Sequence, residues 1–322
     1  MKLISIVSPC FNEQDNIVEL SSLVRELFEG PLSDYSYEHI FIDNCSTDNT
    51  IEILRGLAKK DKRIKVIINS RNFGHIRSPY HGLFQSSGDA TVLLVSDLQD
   101  PPSLIKDFIE EWEKGFKVVV GVKTKSEENF LMFAIRKIYY RLIEKFSDTE
   151  QIKNFTGFGL YDRSFIKCIN DLNDPYPYLR GLITELGFER KEIEYKQPQR
   201  NKGRTKNNFY TLYDIAMLGF VNHSKVPLRL ATFVGFLVSL ASILVAAYYF
   251  IAKLIYWDVF EAGTAPMVIG IFFFASVQLI FIGIIGEYIG AIHTQVKQRP
   301  LVVERERINF SKNSEDPPIS KT

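Results

Sequence analysis

LLVSDLQDPP, residues 93–102, runs an apolar segment straight into a cluster of oxygen-bearing side chains. Val92–Val95 is hydrophobic without alternation, the pattern of a strand buried on both faces in the middle of a parallel sheet. Pro101 and Pro102 end that run, because proline cannot supply a ladder donor. Asp97, Gln99 and Asp100 therefore fall just beyond a strand's carboxyl end, where open α/β sheets bind ligands. Oxygen donors of this kind suit Mg2+ or Mn2+ rather than zinc. An isolated pair of aspartates at this spacing is more often a polar turn, so the surrounding chain has to decide.

Upstream, strands and helices alternate. Lys2–Ser8 reads as a strand stopped by Pro9, with Asn12, Glu13 and Asp15 polarising the turn before a helix at roughly Ile17–Phe28. Glu38–Asp43 is a second strand, and Ser46, Thr47 and Asp48 are N-cap candidates for a helix over Thr50–Lys60. Lys65–Asn69 is a third, followed by Arg71, Asn72 and Gly74, with a helix starting near Ser78. Ala90–Val95 is the fourth. This order is the signature of βαβ units on a parallel sheet. Each strand ends in polar residues (Asn12/Glu13, Asp43/Asn44, Arg71/Asn72, Asp97), and four such ends on one edge make a nucleotide site. Neither a G-x-G-x-x-G nor a P-loop string occurs, so dinucleotide and P-loop readings lack support.

SPCFNEQDNI, FIDNCSTDNT, RNFGH and SDLQDPP resemble the successive motifs of family-2, GT-A fold glycosyltransferases. They are most similar to the polyisoprenyl-phosphate branch, the dolichyl-phosphate mannose synthases and bactoprenol glucosyltransferases. That resemblance implies that Pro9, Asn12, Glu13, Asp43 and Asn44 hold the nucleoside of a nucleotide sugar, with Arg71, Asn72, Gly74 and Ser96 lining the same site. It also implies that Asp97 and Gln99 meet a divalent metal, Mg2+ or Mn2+, on the pyrophosphate. Two positions depart from the pattern: Val95 stands where the family's Asp-x-Asp begins, and Asn44 replaces the second acid of an Asp-Asp pair.

Downstream, Lys117–Val122 is a further strand. Residues 129–146 read as a basic amphipathic helix, either covering the sheet or lying in a membrane interface with Arg136, Lys137, Arg141 and Lys145 toward anionic headgroups. NFTGFGLYDRSFI resembles a family segment in which Gly159 replaces an arginine; its Asp162 is a candidate for positioning sugar or acceptor, or else a helix cap. QRNKGRTKNNF, from Gln199, resembles the family's basic loop, with Arg200, Arg204 and Lys206 as candidates for the acceptor phosphate. A second apolar helical face follows at about 207–224.

Leu230–Ala252 and Met267–Gly286 are free of charged side chains and long enough to cross a bilayer. Basic residues flank both outer ends (Lys225 and Arg229; Lys297, Arg299, Arg305 and Arg307), which places both termini in the cytoplasm. The expected organisation is an α/β GT-A domain over 1–226, a transmembrane hairpin over 227–292 (spans about 230–252 and 267–289), and a basic, disordered tail over 293–322. The N-terminus lacks signal-peptide character, and Cys10, Cys45 and Cys168 show neither disulfide nor zinc spacing. A formal charge of +1 argues against nucleic acid as partner.

The resemblance implies transfer of a hexose, glucose from UDP-glucose first among them, to a polyprenyl phosphate at the plasma membrane. It leaves a homo-oligomer open. Two other readings stand beside it: a membrane-anchored nucleotide-sugar binder without activity, and a membrane sugar-polymer synthase. The second normally carries a Q-x-x-R-W string, which this sequence lacks.

Overall fold

The computed structural model describes residues 1–124, 152, 154–175, 177–197, 226–256, 264–297 and 299–310. Strands and helices alternate through β1 (Leu3–Cys10), α1 (Ile17–Glu29), β2 (Ser36–Asp43), α2 (Thr50–Lys60), β3 (Ile64–Asn69), α3 (Gly74–Phe84), β4 (Ala90–Leu93) and α4 (Leu104–Glu113). Then come β5 (Val118–Lys123), β6 (Phe155–Asp162), α5 (Arg163–Asp171), α6 (Leu179–Glu185) and β7 (Arg190–Tyr195). Two long helices, α7 (Val226–Ile255) and α8 (Thr264–Val296), precede a last strand, β8 (Glu304–Ile308).

Among the described residues the strands form one sheet in the order β7-β5-β6-β4-β1-β2-β3-β8. β4, β1, β2 and β3 are mutually parallel, and β6 runs against both β4 and β5. β5 and β7 are parallel to each other. Both faces are covered. Ile17, Leu20, Val24 and Phe28 of α1, and Ile51, Leu54 and Ala58 of α2, recur at helical spacing and pack with α4 on one face. Tyr80 and Leu83 of α3 pack with α5 and α6 on the other. Double coverage explains why burial is nearly continuous along the central strands, with successive residues on both faces inaccessible.

Pro9 does not stop β1, which continues to Cys10 beside Asp43. Val7 turns its carbonyl toward the β4 side, where the Leu94 amide meets it at 2.9 Å. Two residues on, the missing proline donor points to that same side, where β4 has already ended at Leu93, so no ladder bond is lost. β4 itself is shorter than the apolar run suggests. At the start of α2, the Asp48 side chain accepts the Thr50 amide at 3.0 Å.

β6 settles the fate of Gly159. It is wedged between β4 and β5, opposite Leu93 and Val120, and a Cβ there would lie 2.5 Å from the Val119 carbonyl oxygen. The backbones have closed over the place where the family pattern carries an arginine, so no side chain fits.

The stretch expected to be a disordered tail is partly sheet. β8 pairs antiparallel with β3, and Val302 just before it is buried. Arg55 meets Glu306 at 2.5 Å, Arg307 reaches Gln85 at 2.7 Å, and Asn309 donates to the Ala58 and Ile64 carbonyls at 2.6 and 2.8 Å. The alternating charges of ERERI hide a strand whose Ile308 faces the core.

α7 and α8, of 30 and 33 residues, contain apolar stretches Ala231–Ala252 and Gly270–Val296 with mean hydropathy 2.2 and 1.9, none of it buried within the chain. Large side chains such as Phe236, Leu244, Phe272 and Leu279 stand exposed. Helices of this length and composition suffice to cross a membrane and associate the protein with one.

One buried and one half-buried group make the domain acid-sensitive. His39, in the middle of β2, is bonded to Ser8 Oγ at 2.9 Å, and burial lowers its pKa from 6.5 to about 3. The unfolded chain therefore binds a proton between those values that the folded chain refuses. Stability is complete above pH 6.5, and the folding equilibrium falls about tenfold per pH unit below it. Glu304 acts lower: burial pushes its carboxyl up, but His81 and Arg307 outweigh this and hold it at about 2. Its contribution is present above the usual carboxylate value of about 4.3 and disappears as pH falls toward 2. Denaturant titrations at pH 7 and 5 should show a steep loss in the parent and a clearly shallower one in His39→Gln, where His75, its pKa also lowered by burial, still contributes. Equal slopes in the two proteins would refute the assignment to His39.

Candidate active site

Because β1 to β4 are parallel and β6 is antiparallel to β4 and β5, the carboxyl ends of β1, β2, β3, β4, β5 and β7 all open on one edge. That edge collects Asn12/Glu13, Asp43/Asn44, Arg71/Asn72, Ser96–Asp100, Lys123 and Tyr195. The first four groups were expected there; Lys123 and Tyr195 were not.

The loops after β1 and β2 are stitched together. Asn12 has φ 57, a left-handed conformation that asparagine tolerates, and its Oδ1 accepts the Thr47 amide at 2.8 Å. The Asn12 and Glu13 amides donate to Ser46 Oγ and Thr50 Oγ1, both at 2.9 Å. Asp43 is wholly buried, and its carboxylate accepts the Ser46 amide at 2.9 Å and the Ser46 hydroxyl. Burial raises its pKa, opposed by those Ser46 bonds. In this arrangement Asp43 is engaged from within its own turn, where the sequence reading expected it to face a nucleoside. Cys10 lies against the same carboxylate, and burial together with Asp43 keeps it a thiol. The three cysteines are unpaired, as their spacing implied.

Asn44 organises the next loop. Its Nδ2 donates to Asn72 Oδ1 at 2.9 Å and to the Gly74 carbonyl at 3.1 Å, while its Oδ1 accepts from the Phe73 amide at 2.9 Å and from Asn69 at 3.2 Å. An aspartate could not donate to the Gly74 carbonyl, so the amide at this position fits the loop it holds. Gly74 has φ 88, which a residue with a side chain would adopt only under strain. Arg71 is exposed, with its guanidinium 4.0 Å over the Phe73 ring.

Beyond β4, Leu98 takes φ 57, and Asp97 Oδ1 accepts the Gln99 amide at 3.2 Å, leaving its other oxygen unbonded among the described residues. Ser96 is fully buried, and its hydroxyl has no partner among the described residues. Asp97 and Gln99 are part-exposed on this edge. Among the described residues no three His, Cys, Asp or Glu side chains form a ready metal cage. One carboxylate with neighbouring oxygens nonetheless suits Mg2+, which keeps several waters and takes substrate phosphates as ligands. Asp100 is buried: Tyr195 donates a short hydrogen bond to its Oδ1, and Lys123 Nζ stands 4.0 Å away. Burial raises the Asp100 pKa, with Lys123 opposing.

Asp162 belongs elsewhere. It is the last residue of antiparallel β6 and pairs with Ala90, the first residue of β4, so it lies on the opposite edge of the sheet from Asp97. Its carboxylate caps α5 through the Ser164 amide at 2.9 Å and also accepts from Trp112 Nε1 at 2.7 Å and Lys117 at 3.1 Å. The cap reading of the sequence holds, and the sugar-positioning one is withdrawn. Arg200, Arg204, Lys206 and the helices expected at 129–146 and 207–224 lie outside the described residues.

An open α/β sheet with a polar ligand edge of this kind is the GT-A architecture of enzymes that use nucleotide sugars. The chain belongs to glycosyl transferase family 2, whose pattern matches residues 5–169, and it is a glycosyltransferase. It is similar to the uncharacterized glycosyltransferase YkcC of Bacillus subtilis (strain 168), 34% identical over 300 residues, covering 93% of this chain and 92% of the relative. The SfII prophage-derived bactoprenol glucosyl transferase of Shigella flexneri is 33% identical over 298 residues, covering 92% and 96%. The prophage bactoprenol glucosyl transferase homolog of Escherichia coli (strain K12) is 30% identical with the same coverage.

Proposed function

We propose that this glycosyltransferase moves glucose from UDP-glucose to the phosphate of a polyprenyl phosphate at the cytoplasmic face of the plasma membrane, inverting the anomeric carbon. The observation that carries this reading is the union, in one chain, of a nucleotide-sugar edge ending in Asp97 with two unburied helices of membrane length. The bactoprenol glucosyl transferases among its relatives, matched over nearly their whole length, support the same lipid and sugar. The binder without activity and the polymer synthase have no comparable support.

In this reading Pro9, Asn12, Glu13, Asn44, Arg71, Asn72, Gly74 and Ser96 form the nucleotide's bed, with Asp43 fixing one of its turns from within. Asp97 and Gln99 would hold the divalent cation, Mg2+ or Mn2+, which supplies positive charge to the diphosphate. Arg200, Arg204 and Lys206 receive the acceptor phosphate. A phosphomonoester has a second pKa of about 6, so the attacking oxygen is already largely ionised at neutral pH and needs no general base. That oxygen bonds to the anomeric carbon, the bond from that carbon to the diphosphate oxygen breaks, and UDP leaves with the electron pair. The enzyme's task is to bring two anions together, which explains cations on the acceptor side.

The layout in this reading is a catalytic unit over 1–226, completed by β8, and a hairpin over 227–292. The pairing of β8 with β3 after α8 supports a hairpin whose two ends lie on one side of the membrane, the cytoplasmic side in this reading. The test is transfer of labelled glucose from UDP-glucose to chloroform-soluble undecaprenyl phosphate by membranes carrying the full chain with Mg2+. Label entering the lipid is the expected result. Label remaining in water would overturn the reading, and transfer only from another nucleotide sugar would overturn the choice of glucose.

A further inference from the structure

β8 brings a further cation to the nucleotide edge. Because it runs antiparallel to β3, its first residues lie at the carboxyl end of β3, beside the loop that carries Arg71 and Asn72. The Ser70 amide donates to the Val303 carbonyl at 2.9 Å, and Cys45 Sγ approaches the Ser70 carbonyl at 3.8 Å. The segments after β2 and β3 and the one before β8 are therefore in contact. Glu304 pairs with Asn69 and Glu306 with Ile68, which leaves Arg305 as the extra residue of a bulge. A bulge re-aims a side chain, and such kinks recur beside active sites. Glu304, Glu306 and Arg307 are engaged by His81, Arg55 and Gln85. Arg305 is exposed, and its side chain makes no hydrogen bond or ion pair among the described residues. Its charge nevertheless reaches Asp43, where it opposes the upward pull of burial on the carboxyl.

We propose that Arg305 is a nucleotide-binding residue that closes the nucleoside end of the site from a strand following the membrane helices. The inference rests on the reading of the donor as a UDP-sugar. Strand order fixes which end of the nucleotide it serves. Asp43 ends β2, two strands from β8 and about 10 Å away at the usual spacing, whereas Asp97 follows β4, four strands and about 19 Å away. Arg305 thus stands on the side of Asp43, and the diphosphate belongs to the far side, with Asp97. A guanidinium offers only donors, in a fixed fork, and the carbonyl oxygens of uracil and the hydroxyls of ribose are acceptors for it.

Calorimetric titration of the full-length protein in detergent with UMP and with UDP, each with and without Mg2+, tests this. Arg305→Gln should weaken both nucleotides about tenfold whether or not Mg2+ is present, because the lost contact is to the nucleoside. Arg305→Lys keeps the charge without the fork and should fall between parent and Arg305→Gln. In transfer assays the KM for UDP-glucose should rise by a similar factor while kcat stays within about twofold. The melting temperature should hold, since the side chain is unpaired. Unchanged UMP affinity in Arg305→Gln would overturn the proposal. So would a loss confined to UDP with Mg2+, which marks a diphosphate contact, or self-association with normal affinity, which marks a guard on an edge strand. A parent protein that binds neither nucleotide would instead reject the UDP-sugar reading itself, so the two failures are distinguishable.

Discussion

Asp97→Asn is expected to reduce glucose transfer at least a hundredfold while leaving the fold intact. The amide matches the carboxylate in size, and its Oδ1 can still accept the Gln99 amide, the only hydrogen bond Asp97 makes among the described residues. What is lost is the negative charge that would anchor the cation beside the diphosphate. A hundredfold corresponds to about 2.7 kcal/mol of barrier, within what a cation on a leaving diphosphate supplies. Metal-free binding of UDP and the melting temperature should barely move. Measured at saturating Mg2+, a rate within tenfold of the parent would remove Asp97 from the metal site, and Gln99 with it.

A chain ending at Pro300 should lose its stable catalytic domain. It would give up Val302 and Ile308 from the core, each worth about 1–3 kcal/mol according to the depth of burial. It would also unpair the whole outer edge of β3 and strip the side-chain donors that Asn309 gives to Ala58 and Ile64. The Arg55–Glu306 pair is more than a third exposed on both sides and adds little. An uncovered edge strand this apolar invites association with other chains. In detergent, the shortened protein should melt at least 10 °C lower or aggregate. An unchanged melting temperature together with normal transfer would show β8 to be dispensable.

The first half of the fold was legible because its periodicities are strong. β1 to β4 are rich in β-branched and apolar residues, the Thr50–Lys60 helix has the predicted bounds, and polar residues mark each strand's end. Legibility failed where a strand carries mostly charge. RKEIEY and ERERI, at sheet margins, are charged at every position but Ile193 and Tyr195 in the first and Ile308 in the second, too few apolar residues to register as a pattern. Asp162 was misjudged for another reason: the direction of β6 is decided by pairing with distant strands, and reversal of one strand moves its last residue to the far edge. Asp43 shows a third limit, since a motif identifies an acid without telling whether it faces a ligand or its own turn.

The return of the chain from α8 into β8 alters how a soluble version must be engineered. Cutting the gene ahead of Val226 discards a structural margin of the enzyme along with its anchor. The promising design is an excision: residues 226–298 replaced by a flexible bridge that delivers Leu301–Phe310 back to its groove. Such a bridged protein would keep its sugar-nucleotide chemistry available for crystallisation without lipid or detergent.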